Sequence, residues 1–430
     1  MTDAAREGQD SSLGRRFWRL WTAFTAANLA DGLTLVAFPL LAIGLTDDAR
    51  QIALVTVFRF IPFVLVGLPA GVLLDRYDRR LIAMLAQVGR AATAGLLAAI
   101  VLADRASIPL VVAAAFVIGV GEVLTDGGLP ALVRDLVRPD QLEVANSRFS
   151  ATQTVSNVFI GPPLGALLFE IETSAPFAAS LLLFVVATGV LARIPGSFRA
   201  SPEAGIGSVV GPRQDAEGER GGLRRLIDEV SVGLRYVWGH QILRPLAFTV
   251  LAFSFAGQAT NAVFVILVTE RFGLGGLGFG ALIAVRGTTS LAMSFGVARF
   301  IRRAGHGMSM RFAVVAFTAA SLLFGLATAA ILAVVASLIN GLSDPAWNVV
   351  SSTVRQRLVP DEVFGRMMTA YLFIAWSMNP VGALVGGIIA ERWGAEWVWV
   401  MAAAVVGSLL VLGKGLFRAI DEAMALDPSD

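Results

Sequence analysis

The chain has no cysteine and only two histidines, His240 and His306, in 430 residues. Without cysteine there are no disulfides, no thiolate metal ligands and no thiol nucleophile. Two histidines outside the apolar runs give no basis for a metal centre, and none is expected. They also fail to supply the nucleophile-and-base constellation of an enzyme. The P-loop spacing is absent, so nothing points to ATP or another cofactor. Lysine is nearly missing too: Lys414 stands alone, and the remaining basic charge is arginine. That bias suits a GC-rich bacterial genome. Charged residues make up only 15% of the chain, against roughly a quarter in soluble domains.

What is present is apolar. Hydrophobic residues reach 56% and the mean hydropathy is +0.72, which predicts an all-α polytopic membrane protein. Apolar runs fall at about 17–45, 52–74, 81–103, 108–133, 145–169, 174–195, 242–270, 278–301, 311–330, 332–356, 364–390 and 395–418. At about 20 residues per crossing, the length fits roughly twelve helices. Loops after odd-numbered runs are acidic or mixed, as with Asp47, Asp48, Glu170 and Glu391. Loops after even-numbered runs and both tails carry arginine, which places both termini in the cytoplasm. Trp18, Trp21 and Trp238 then mark the inner interface, and Trp393, Trp397 and Trp399 the outer one. Arg15-Arg16-Phe17 has the look of a targeting signal, but the following run is too long and lacks a cleavage site.

The loop at 196–241 divides six runs from six. Residues 1–16 and 419–430 read as tails, 17–195 and 242–418 as two helical bundles. Ser201 to Gly222 is rich in Gly, Pro and charge and reads as disordered. Leu223, Leu226, Ile227, Val230, Leu234 and Val237 recur at helical spacing. They predict an amphipathic helix over about 223–238 lying on the inner leaflet.

The stretch Gly71-Val-Leu-Leu-Asp75-Arg76-Tyr77-Asp78-Arg79-Arg80 joins two runs with a tight basic hairpin. Its pattern G-x-x-x-D-R-x-x-R-R resembles the loop between the second and third spans of the major facilitator superfamily. Leu136-Val-Arg-Pro139-Asp140-Gln-Leu142 recurs in outline as Leu358-Val-Pro360-Asp361-Glu-Val363, each before a Pro-Gly-rich stretch. Such an internal repeat predicts two pseudo-symmetric six-helix bundles with a site between them near the midplane. Asn28-Leu-Ala-Asp31-Gly, Phe38-Pro39-Leu40-Leu41, Ala145-Asn146-Ser147-Arg148 and Gly365-Arg366 are similar to the drug–proton antiporter branch. That branch contains macrolide and tetracycline pumps and the enterobactin exporter. The resemblance implies a gating latch in which Asp75 and Arg79, with Gly71, Arg76 and Arg80, hold the inner bundle ends together in the outward-facing state. Asp78 stands where the family usually has glycine. The antiporter signature maps onto Asn157, Gly161, Pro162, Gly165 and Ala166, with its first and last glycines replaced. Plain helix packing is the competing reading of that motif. The arginine motif common in the fourth span of proton antiporters is missing.

Charges inside apolar runs are costly and face cavities or partners. Asp31 falls mid-run, and Glu122 and Asp126 share a helix face four residues apart. Asp31 and Glu122 are expected to bind a proton or cationic substrate, with Asp126 nearer the inner mouth. The alternative is static pairing with Arg59, Arg90 or Arg148. Arg59 and Arg286 occupy corresponding places in the two halves, as counter-ions, anion contacts or snorkelling side chains. Asp344, beside Pro345, nearly corresponds to Glu122 under the repeat, with helix-break capping as its competitor. Trp347 and Trp376 could stack on an apolar or cationic drug, although packed core or lipid contact is the simpler reading. The expected function is proton-coupled export of an amphipathic small molecule from a bacterial inner membrane by a monomer. Partners are a small-molecule substrate, protons and the lipid bilayer, with no nucleic acid. Alternatives are a lipid or siderophore exporter, an uncoupled facilitator, or a membrane sensor or enzyme on the same fold.

Overall fold

In lipid every backbone N–H and C=O must be satisfied within its own segment, which forces apolar runs into helices. The computed structural model describes residues 13–138, 141–196, 198 and 219–425. Pro139, Asp140, the distal tails and residues 201–218 of the Gly- and Pro-rich stretch lie outside them. Among the described residues, the first half is α1 (Arg15–Leu45), α2 (Ala49–Leu65), α3 (Gly67–Arg76), α4 (Arg79–Leu102) and α5 (Ile108–Leu136). It continues with α6 (Leu142–Thr154), α7 (Gly161–Ile171) and α8 (Ala175–Ala192). After α9 (Glu219–Gly239) come α10 (Leu243–Ile266), α11 (Gly276–Ala304), α12 (His306–Leu326) and α13 (Ala330–Leu358). The chain closes with α14 (Asp361–Trp393), α15 (Ala395–Leu412) and α16 (Lys414–Ala425).

Among the described residues, eleven segments are long and apolar enough to cross a bilayer. The twelfth crossing is α2 with α3, broken only at Val66. Gly67 and Pro69 explain the break: one lacks helix propensity, the other its N–H. The fifth crossing changes pitch instead. A π-helical stretch at Val155–Ile160 joins α6 to α7 directly before Pro162 and Pro163, whose missing donors shift the ladder.

Large apolar side chains such as Phe295, Leu412 and Leu102 are exposed on the outside, where lipid would meet them. Inside, alanine and glycine dominate, because helices in lipid associate by close packing of small residues. The two bundles are joined unevenly. At the end remote from the chain termini one apolar core runs through both, including Val36, Ala53, Val263 and Ala383. At the end carrying the termini each bundle has a core of its own, around Phe17, Leu20 and Phe149 in one and Met310, Trp347 and Phe417 in the other. The bundles therefore meet at the far end and separate towards the termini.

Two segments differ from the sequence reading. The C-terminal part of the apolar side of α9 turns into protein: Val230 and Val237 are buried, and Gly233 lies against the Arg366 carbonyl of α14. A hydrophobic stripe specifies an apolar partner without saying whether it is lipid or helix. Residues 419–425 are not a free tail but part of α16. Leu416, Phe417 and Ile420 are buried, and the Asp421 carboxylate accepts from the Gly307 N–H at 2.7 Å. Gly305, at φ 87, makes the turn that exposes that N–H. At the entry to α10 the His240 Nδ1 accepts from Ile242 N–H at 3.1 Å and Leu243 N–H at 3.3 Å. Burial lowers the His240 pKa below its usual 6.5, which keeps the capping nitrogen unprotonated.

Candidate functional site

The polar centre of the first bundle is built on α1, α2, α4 and α5. Asp31 and Arg90 form a direct ion pair, and Arg90 is 1% exposed. Arg59 reaches towards both acids: its Nη2 is 3.1 Å from Glu122 Oε2 and 3.9 Å from Asp31 Oδ1. Thr34 Oγ1 accepts from Arg59 Nη1 at 3.2 Å, and Gln87 Oε1 accepts from Arg90 Nη1 at 3.4 Å. The Arg90 guanidinium also lies over the Phe184 ring, 4.2 Å from its centroid. Gly121 leaves the space that the Arg90 stem fills. Arg148 takes no carboxylate among the described residues and stacks on Trp18 instead.

Asp126 completes the cluster without an ion pair of its own among the described residues. It stands one helical turn after Glu122 on the same face of α5. Three carboxylates therefore face two guanidiniums. With every group ionised, the cluster is one positive charge short.

The second bundle repeats one part of this arrangement. Arg286 Nη2 donates to Asp344 Oδ2 at 2.7 Å. Gly119 packs against the Arg59 carbonyl, and Gly341 packs against the Arg286 carbonyl. Each glycine precedes its acid, Glu122 or Asp344, by one helical turn. The shared device is G-x-x-acid: glycine lets two helices touch at the arginine, and the acid one turn later meets the guanidinium. Exposure separates the two copies. Side chains of the Arg59–Glu122 pair are 6% and 14% exposed, those of the Arg286–Asp344 pair 43% and 40%.

The Pro-Gly motif lies beside this centre. Gly161 meets Gly32, and Gly165 meets the Leu33 backbone, so α7 crosses α1 directly next to Asp31. Asn157 Nδ2 donates to Asn28 Oδ1 at 3.2 Å. Pro162 belongs to the turn that starts α7, and its carbonyl and the Ala166 side chain face Gly280 of α11. The motif is helix packing, and it also joins the bundles.

A second join runs along α2 and α14. Gly387 packs against Ala53 and the Ala49 carbonyl. The Glu391 carboxylate accepts from the Ala49 N–H at 2.9 Å and pairs with Arg50 at 3.7 Å, capping α2 from the opposite bundle. Burial raises the Asp48 pKa, but hydrogen bonds from the Arg50 and Gln51 side chains and N–H groups outweigh it. They hold the carboxyl at about 2, ionised as the N-cap of α2. Midway along, Trp376 stacks on Phe63 across the join, with ring centroids 4.3 Å apart. Trp347 is instead core of the second bundle, stacked on Phe253 at 4.4 Å. Trp399, read from sequence as an interfacial residue, is 5% exposed and packs on Phe324 and Phe264. A tryptophan two residues from Trp397 and six from Trp393 cannot be told from belt residues by composition.

The hairpin at 71–80 is anchored within its own bundle. Arg80 donates to the carbonyls of Leu191, Ala192 and Gly196, closing the last turn of α8. Arg79 Nε donates to the Leu74 carbonyl at 3.2 Å. Asp78 caps α4 through the N–H groups of Arg80 and Leu81 and accepts from the Phe198 N–H at 3.0 Å. Arg76 is exposed, and Gly71 has open space where a side chain would be. Asp75 lies on α3, one residue before its last.

A sequence profile of the Major Facilitator Superfamily matches residues 20–379. The macrolide efflux protein A of Streptococcus pyogenes is 21% identical over 424 residues, covering 96% of this chain and 97% of that protein. The multidrug efflux pump Tap of Mycolicibacterium fortuitum is 23% identical over 389 residues, 87% of this chain and 89% of that one. Among solved structures, the nucleoside transporter NupG superposes with a TM-score of 0.72 at 13% identity, covering 96% of this chain and all of that one (100%). A bacterial homologue of the lysosomal transporter Spinster, in an inward-facing, unoccupied conformation, gives 0.68 at 15% identity, with coverages of 96% and 98%. The chain belongs to the Major Facilitator Superfamily and is a multi-pass membrane transporter, not an enzyme.

Proposed function

We propose that the protein exports an amphipathic small molecule from the bacterial cytoplasm in exchange for protons. The observation that carries this reading is the charge-unbalanced cluster of Asp31, Glu122, Asp126, Arg59 and Arg90. Asp31 and Glu122 each have a guanidinium partner, so Asp126 is the carboxylate that takes the missing positive charge as a proton. Proton uptake at Asp126 neutralises the cluster, and its release restores the deficit. The arginine distribution among the loops supports cytoplasmic termini. With that orientation the join of α2 to α14 closes the outer end, and the half-exposed Arg286–Asp344 pair faces a cleft open to the cytoplasm. The efflux relatives support export of drug-like compounds. The hairpin at 71–80 then closes the inner end in the opposite state, as a monomer rocks its two bundles.

The test is accumulation of erythromycin, tetracycline and tetraphenylphosphonium in an efflux-deficient host, with and without a protonophore. Concentrative export of at least one compound is expected to collapse with the protonophore. Asp126→Asn is expected to lose concentrative export yet keep downhill exchange. Export unaffected by the protonophore would instead favour an uncoupled facilitator.

A further inference from the structure

A third polar feature lies off the cleft, inside the second bundle. Helices α10, α11, α12, α13 and α15 line a cavity of about 20 Å³, room for one water-sized occupant. Its polar lining is Thr260, Asn261, Arg286, Ser337, Asn340 and Trp399, closed by phenylalanines. No carboxylate lines it.

Two of these groups are buried without a partner. Among the described residues, Trp399 is 5% exposed and its indole Nε1–H finds no acceptor, and Ser337 is 1% exposed with its Oγ likewise unpaired. Two other lining donors are engaged locally, and the Asn340 amide adds a group that can donate or accept. Thr260 donates to the Ala256 and Gly257 carbonyls, and Asn261 donates to Gln258 Oε1. An indole N–H can only donate, so a group that binds it must be an acceptor. Arg286 adds positive charge on the same wall. Two buried unpaired donors in a cavity that Arg286 also lines, with no carboxylate among the lining residues, favour an anion over a cation. The small volume selects a single atom over phosphate or a carboxylate.

We propose that this cavity is a binding site for one monatomic anion of the chloride class. Trp399 Nε1–H and Ser337 Oγ–H donate to it, and Arg286 supplies the charge. Because Arg286 also holds Asp344, occupancy sets how much of the guanidinium's charge remains for the cleft. Halide binding here does not depend on the direction of transport or on proton coupling.

The test is thermal unfolding of the purified full-length protein, titrated with sodium chloride, sodium bromide or sodium gluconate at constant ionic strength. Chloride and bromide are expected to raise the melting temperature saturably, whereas gluconate, too large for the cavity, is not. Trp399→Phe and Ser337→Ala each remove one hydrogen bond to a charged acceptor. Each should raise the half-saturating halide concentration about tenfold or more. Crystals grown in bromide should show one anomalous peak between Trp399 and Ser337. Equal responses to all three salts, or variants that titrate like the parent, would show that the cavity holds water and overturn the site. Should Trp399→Phe fold poorly, Ser337→Ala and the salt comparison decide alone.

Discussion

Replacing Asp31 by asparagine is expected to destabilise the protein by about 3–5 kcal/mol, the usual cost of leaving one half of a buried ion pair. The expectation follows from Arg90, a guanidinium 1% exposed whose charged partner is Asp31. Gln87 offers it only a neutral amide oxygen. Asparagine mimics a protonated aspartate in shape, so the substitution separates two roles. A carboxylate that is protonated during turnover tolerates asparagine in at least one state of the cycle. A permanent counter-ion does not. Asp31→Asn should therefore lower the melting temperature sharply, while Asp126→Asn should leave it close to the parent value. Combining Asp31→Asn with Arg90→Gln removes both charges and should recover much of the loss, which a double-mutant cycle measures. Equal melting temperatures for Asp31→Asn and the parent would remove Asp31 from the structural role.

Gly387→Leu is expected to open the far end. A Cβ at Gly387 would collide with the Ala53 side chain and come within 3.2 Å of both the Ala49 carbonyl and the Arg50 Cα. Those atoms are backbone of the opposite bundle and cannot turn aside. Overpacking of this kind costs about 1–3 kcal/mol, and it falls only on the conformation in which the bundles touch here. The population ratio should shift about five- to 150-fold towards the state open at this end. Since the chain has no cysteine, introduced cysteine pairs can carry spin labels across each end. Distances across the far end should lengthen in Gly387→Leu, and those across the opposite end should shorten. Gly89→Leu, whose side chain meets open space, should change neither. Unchanged distances in Gly387→Leu would mean that this contact is not part of the gate.

The crossings, the two halves and the acids inside them were legible because a bilayer imposes length and charge rules on any sequence. Asp31, Glu122 and Asp344 stand out as carboxylates in apolar runs whatever the fold does with them. Their partners were harder to read. Arg59, Arg90 and Arg148 are all arginines near helix middles or ends, and only packing decides that Arg148 stacks on Trp18 while Arg90 seals Asp31. A visible signal did exist for two pairs. Gly119-x-x-Glu122 and Gly341-x-x-Asp344 occupy matching crossings of the repeat, opposite Arg59 and Arg286. What sequence could not distinguish was kind of apolar neighbour. The C-terminal part of the α9 stripe, Val230 to Val237, packs into protein beside α14, and Trp399 is core although Trp393 and Trp397 are exposed. Periodicity records that a face is apolar, and the partner follows from the tertiary fold.

The central claim is that the first bundle's cluster carries one carboxylate more than its arginines neutralise, and that this carboxylate is Asp126. Infrared difference spectroscopy of the purified protein across the neutral pH range tests it most directly. The account predicts a titrating protonated-carboxyl band that vanishes in Asp126→Asn and persists in Glu122→Gln. A band that survives in Asp126→Asn and is lost in Glu122→Gln would contradict it.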